Sequence, residues 1–145
     1  MQGNYPEKKQ LLRLLRAKQP NSLAEIAAQL QISTELLLVH IQRLLLDGEE
    51  IAGLHHRPGQ ELVLLDVEKI TAKLKAATLQ LIGGIDGYLL IDSTNSEAMR
   101  RIRSVTAIGN RVIVAEAQSQ GKGRRGRVWL SPLGSGICVS LIWSF

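Results

Sequence analysis

A chain of 145 residues carrying 18 Lys and Arg against 13 Asp and Glu, a net charge of +5, has room for one ordinary domain or two small ones. The excess charge favours polyanionic partners, but four of the cations share one loop, so the total overstates a nucleic-acid signal. A single cysteine rules out a disulfide framework. No apolar span approaches the roughly 20 residues that cross a bilayer, and the opening Met1-Gln2-Gly3-Asn4-Tyr5-Pro6 is not that of a signal peptide. A cytoplasmic chain without a membrane partner is expected. His40, His55 and His56 lack metal-ligand spacing with the cysteine, so they read as surface or wing residues and no metal site is expected.

In chain order, Leu11, Leu12, Leu14 and Leu15 give residues 8–18 a helical period, closed by Pro20. Ser22 caps a second helix running through Leu30, Gln31-Ile32-Ser33 turns the chain, and residues 34–47 form a third helix stopped by Gly48. That spacing predicts a helix-turn-helix. Strands at 51–54 and 61–65 flank Arg57-Pro58-Gly59-Gln60 as a β-wing would, so residues 1–65 read as a winged helix-turn-helix DNA-binding domain. Asp66 caps a connecting helix through Leu81, residues 66–84 form the linker, and Gly83-Gly84 breaks it. The second domain, 85–145, opens with a strand at 88–91. It continues with a helix at 96–105 and strands at 111–115 and 137–143. The last of these holds Cys138, expected to be a buried strand residue rather than a nucleophile.

Leu37, Ile41 and Leu44 of the third helix recur at i, i+4, i+7 and should face the core. Leu36, Leu38, Val39, Leu45 and Leu46 lie off that line, where a reading helix normally presents polar side chains. The candidate DNA-facing residues are Ser22, Ser33, Thr34, Glu35, Leu38 and Gln42. Glu35 repels phosphate and Gln42 lies beyond the N-terminal turn, so operator binding is expected to be weak.

Residues 121–127, Gly-Lys-Gly-Arg-Arg-Gly-Arg, bring three glycines and four cations together after a strand-like run. Such glycines let the backbone fold into concave turns with N–H groups aimed at an anion, and the cations add charge. A loop of this kind is expected to order over an anionic ligand. It matches G-x-G-x-x-G, but Val128 to Ser131 is strand-like and Pro132 follows, so no helix opens to receive a pyrophosphate. A Walker A loop fails because Arg127 and Val128 stand where Lys and Ser or Thr are needed. A solvated basic hairpin or an RNA-contacting loop stays open, the latter with only Trp129 for base stacking. Upstream, Thr94 or Asn95 in Asp92-Ser93-Thr94-Asn95-Ser96 could serve simply as a helix cap.

The segment AEAQSQGKGRRGRVWLSPLGSGICVS, together with Asp92-Ser93-Thr94-Asn95-Ser96, resembles the biotin protein ligase family in its bifunctional bacterial branch, which doubles as the biotin operon repressor. The loop is close to that family's G-R-G-R-x-G-R, followed by W-x-S-P-x-G. The resemblance implies an α+β chain: a winged helix-turn-helix, then the opening part of a truncated mixed α/β ligase domain of the class II synthetase-like kind. It implies biotin and ATP as substrates, with Mg2+ accompanying ATP, giving biotinyl-5′-adenylate and then biotinylating a lysine of a biotin carboxyl carrier protein. Operator DNA and a second copy in a homodimer are the other implied partners. Ser93, Thr94, Asn95, Gln118, Gly121, Lys122, Gly123 and Arg124 are the implied biotin and adenylate contacts, with Lys122 and Arg124 the catalytic cations. Lys122 replaces the family's arginine and so lacks its planar, bidentate fork. The alternatives are an adenylate-sensing DNA-binding regulator without catalysis and a basic-loop RNA-binding protein.

Overall fold

The computed structural model describes residues 8–15, 21–49, 51, 63–104, 109–131, 133–134 and 136–144. The N-terminal helices are α1 (Lys8–Leu15), α2 (Leu23–Leu30) and α3 (Thr34–Leu46). Each of the last two is started by a serine. The amide of Glu25 donates to Ser22 Oγ at 3.2 Å while the Ser22 amide donates to the Glu25 carboxylate at 2.7 Å, a reciprocal capping box. Ser33 Oγ accepts from the Leu36 amide at 3.1 Å. Gln31 closes α2 in the left-handed region at φ 55°, and Gly48 follows α3 at φ 80°, a conformation glycine adopts at low cost.

Leu11, Leu37 and Ile41, marked by their helical period, are buried in one cluster with Leu23, Ile26, Leu45 and Ile51. Leu44 is partly buried against the same cluster. Two other α3 residues are corrected. Leu38 and Leu45, read as off the core line, are buried, because the packing against α3 is wider than one i, i+4, i+7 row. The apolar surface left on α3 is Leu36, Val39 and Leu46. Of the expected wing, residues 52–62 lie outside the described residues; Ile51 makes an isolated bridge and 63–65 belong to no strand. Residues 16–18 of the first expected helix also lie outside them.

The linker is two helices rather than one: α4 (Val67–Lys73) and α5 (Ala76–Leu81). Asp66 caps α4 as predicted, accepting from the Lys69 amide at 3.0 Å. Leu74 and Lys75 are extended, with ψ 145° and 146°, and neither helix buries a residue, so no apolar face holds the two in one line.

The second unit is a four-stranded mixed sheet with one helix, α6 (Thr94–Ser104). β1 (Ile85–Ile91) runs parallel to β2 (Arg111–Lys122), and α6 crosses between them. β3 (Val128–Ser131) and β4 (Cys138–Ile142) both pair antiparallel with β2. Ala115 pairs with Tyr88 and Cys138, and Gln118 pairs with Ile91 and Ser131, so β3 and β4 occupy the β2 edge opposite β1. The expected strand 111–115 is therefore the first part of a 12-residue strand that continues into the basic segment.

Ion pairs close the α6 face. Arg111 forks onto Asp86 at 2.8 and 2.7 Å, and Arg101 reaches Asp86 at 2.7 Å, Glu97 at 2.8 Å and Tyr88 Oη at 2.7 Å. Burial, followed by the Glu97 carboxylate, pushes the Tyr88 hydroxyl up to about 12. On the other side of the sheet Gly87 lets α4 approach: a Cβ there would sit 2.5 Å from Val67 Cγ2. Leu89 and Ala117 belong to the same buried cluster as the N-terminal helices.

Glu116 is also buried, and its carboxylate accepts the Leu65 amide. Burial raises its pKa above the ordinary carboxylate value. The folded chain therefore holds this proton more tightly than the unfolded chain, and stability falls as pH rises from the unfolded toward the folded pKa. Glu116→Gln keeps an acceptor for Leu65 and removes the charge. It is expected to flatten that part of the stability profile and to leave the variant at least as stable as the parent at pH 7. Urea titrations from pH 4 to 8 check this, and a variant less stable at neutral pH would contradict it.

Candidate functional site

The Asp92-Ser93-Thr94-Asn95 segment is the corner between β1 and α6. Its cap is Ser93, not Thr94 or Asn95: Ser93 O accepts from the Glu97 amide at 3.0 Å and Ser93 Oγ from the Ser96 amide at 3.4 Å. The helix starts two residues earlier than its period suggested, with Thr94 as its first residue and tied to a β2 side chain. The Thr94 amide donates to Gln118 Oε1 at 2.7 Å and its hydroxyl to the same oxygen at 3.2 Å. Ser140 on β4 donates to Thr94 Oγ1 at 2.9 Å, completing a relay from Ser140 through Thr94 to Gln118. Ser93 and Thr94 are buried.

This relay lines a cleft of roughly 540 Å³, with Ser93, Asn95, Lys122, Trp129 and Cys138 among its other walls. A second hollow of roughly 680 Å³ lies beside it, lined by Lys122, Gly123, Arg124, Arg125, Arg127, Val128 and Trp129. Lys122 and Trp129 belong to both. The structure thus brings a polar pocket and a cationic hollow together on one strand and its hairpin. Cys138 is half-buried, with its Sγ 2.8 Å from Ser131 Oγ; it lines the cleft instead of vanishing into the core as expected.

The glycines divide the work differently from the expected concave nest. Gly121 sits within β2, and a Cβ there would fall 2.5 Å from the Trp129 carbonyl oxygen. It serves close strand approach. Gly123 has ordinary extended backbone, and its N–H donates to the Arg127 carbonyl at 2.7 Å, so that amide is consumed in the turn. Gly126 and Arg125 take the left-handed conformation, at φ 74° and 60°. An anion here would be met mainly by side chains. The strand β3 follows directly, so the dinucleotide-binding alternative, which needs a helix, does not apply.

The DNA-facing candidates fare less well. Ser22 is buried in its capping box and Leu38 is buried in the helical core, so neither is open to a groove. Ser33 is exposed but its hydroxyl caps α3; Glu35 is exposed, and Thr34 and Gln42 are half-buried. Sequence reasoning missed Ser140, Ser131, Ile137 and Val139 in the cleft. The signal available was the alternation of β4, which puts Cys138 and Ser140 on one side. Among the described residues no three His, Cys, Asp or Glu side chains stand together as metal ligands, and no helix is long and apolar enough to cross a membrane.

Residues 87–145, the sheet and helix that carry the cleft, match the model of the biotin/lipoate A/B protein ligase family. Over 136 residues the chain is similar to two proteins named bifunctional ligase/repressor BirA, 29% identical to that of Salmonella typhimurium strain LT2 and 28% to that of Escherichia coli strain K12. Each match covers 92% of this chain and 40% of the relative, so the chain spans well under half the length of these proteins. The motif resemblance to the biotin protein ligases is upheld.

Proposed function

We propose that this chain carries the biotin and adenylate half-site of a biotin protein ligase. The adjacency of the Ser93-Thr94-Gln118-Ser140 pocket to the cationic hollow, with Lys122 and Trp129 common to both, carries the reading. Biotin has a polar ureido ring and an apolar tail ending in a carboxylate. In the cleft, Ser93, Thr94, Asn95 and Gln118 satisfy the ring, where an unpaired polar atom is costly. The carboxylate then points toward Lys122 and Arg124. The carboxylate oxygen attacks the α-phosphorus of ATP, a C–O–P bond forms, the bond to pyrophosphate breaks, and pyrophosphate leaves with its charge. Lys122 and Arg124 lower the repulsion between the two anions as they meet. In the second step a carrier-protein lysine displaces AMP. Neither hollow has a carboxylate among its described walls, and Mg2+ is expected there as the companion of ATP.

The test is protection of Cys138. Biotin with ATP is expected to slow its alkylation, and calorimetry should show biotin binding to the chain. Alkylation indifferent to biotin, with no heat of binding, would overturn the reading.

A second role rests on the α2–α3 pair, a helix-turn-helix by its spacing. We propose weak, poorly sequence-specific DNA contact, because Leu36, Val39 and Leu46 expose apolar surface where base-reading donors would be needed. Binding to an operator and a scrambled duplex at matched salt is expected to be nearly equal. A preference of about 10³ or more would show that the reading face was misassigned.

A further inference from the structure

We propose that Arg100 is a positioning residue of the cleft, fixing the Ser93-Thr94 corner through Asp92 without touching the ligand. The inference rests on the biotin reading of that cleft. Adjacent arginines on α6 have separate tasks. Arg101 is the more buried and ties Asp86, Glu97 and Tyr88 into the body of the fold. Arg100 turns the other way, gripping both Asp92 oxygens at 2.8 and 2.7 Å, with its Nε on Glu97 at 2.9 Å.

Asp92 lies between the last residue of β1 and the cap of α6. Its carbonyl accepts the Gln120 amide at 2.8 Å, which pins it to β2. The Arg100 fork, helped to a smaller extent by the neighbouring Ser93 backbone amide, holds its carboxyl below the usual range. The backbone of Asp92 is thus fixed by the sheet and its side chain by the helix. Between them they set the direction in which Ser93 and Thr94 leave the strand. Glu97 braces the same corner, since it receives Arg100 and Arg101 while its amide donates to Ser93 O.

Arg100 is half exposed, so the pair contributes little to global stability. What the fork supplies is geometry, because two parallel N–H···O bonds fix both distance and plane. A small error there passes to the cleft, whose relay depends on Thr94 N and Oγ1 meeting one Gln118 oxygen.

The experiment compares Arg100→Ala, Arg100→Lys and Arg101→Ala in the full chain by thermal melting, amide hydrogen exchange without ligand, and biotin calorimetry. Arg100→Ala is expected to melt close to the parent, to exchange Ser93 and Thr94 amides faster, and to weaken biotin about tenfold. Arg100→Lys, with charge but no fork, should recover only part of that loss. Arg101→Ala should instead lower the melting temperature most. If Arg100→Ala melts as low as Arg101→Ala, Arg100 is a structural tie and the proposal fails. Unchanged exchange at 93 and 94 defeats it as well, whether or not biotin binds. Altered exchange with unchanged biotin affinity removes its link to the cleft. A parent chain that shows no biotin binding counts against the proposed function, and the exchange result then decides the positioning claim by itself.

Discussion

Gly121→Ala is expected to abolish biotin and adenylate binding while leaving the sheet folded. The added Cβ would lie 2.5 Å from the Trp129 carbonyl oxygen, 3.0 Å from Gln118 Nε2 and 3.2 Å from Trp129 Cβ. The nearest of these is the backbone of the neighbouring strand, which no side-chain rotation relieves. β3 must move away from β2, and its hold is short: the pairs are Gln118 with Ser131, Gly121 with Trp129 and Lys122 with Val128. Overpacking of this kind costs about 1–3 kcal/mol. The rest of the sheet does not depend on the hairpin, since β1 and β4 pair with β2 nearer its start. Ligand binding therefore fails before the fold does, because Trp129 borders both hollows and Gln118 carries the relay. Calorimetry alongside thermal melting checks this; a variant that binds biotin like the parent would show that the β2–β3 contact yields freely.

The second large effect is expected at Arg124. It follows the end of β2 and opens the turn at residues 124–126, in the hollow that Lys122 shares with the cleft. If its guanidinium meets the adenylate phosphate, Arg124→Ala weakens adenylate binding by about 1.5–3 kcal/mol, the range for hydrogen bonds to charged groups. Lys122→Arg should act in the opposite direction, replacing a point charge with a two-pronged donor. A non-hydrolysable biotinyl-adenylate analogue provides the ligand for calorimetry on both variants. Unchanged affinity in both would remove the basic turn from the site.

Local punctuation was readable because it acts over three or four residues. Ser22, Gly48 and Asp66 announce helix ends by chemistry that needs no distant partner. The basic turn and the Ser93-Thr94 corner were legible as motifs, and the structure places them around adjoining hollows. What escaped the sequence depends on residues far along the chain. Ser140 meets Thr94 across 46 positions, and Glu116 meets Leu65 across 51. Burial of Leu38 and Leu45 is decided by how widely α3 is covered by its neighbours, which a periodicity of α3 alone cannot report. The break at Leu74 and Lys75 was hidden for a related reason: the sequence favours helix on both sides, and only the lack of a buried face lets the chain bend.

β2 has a further consequence for how this segment can change over generations. The same strand supplies core residues up to Ala117 and cleft residues from Gln118 onward, with no loop between. Side chains alternate along a strand, so one residue inserted or deleted between Ala115 and Gln118, ahead of the register shift that separates Gln118 from Gly121, would turn Gln118 away from Thr94. Substitutions can accumulate along it one at a time, but length changes there are forbidden. Drift in the spacing between Ala115 and Gln118 should therefore be absent from any working version of this cleft.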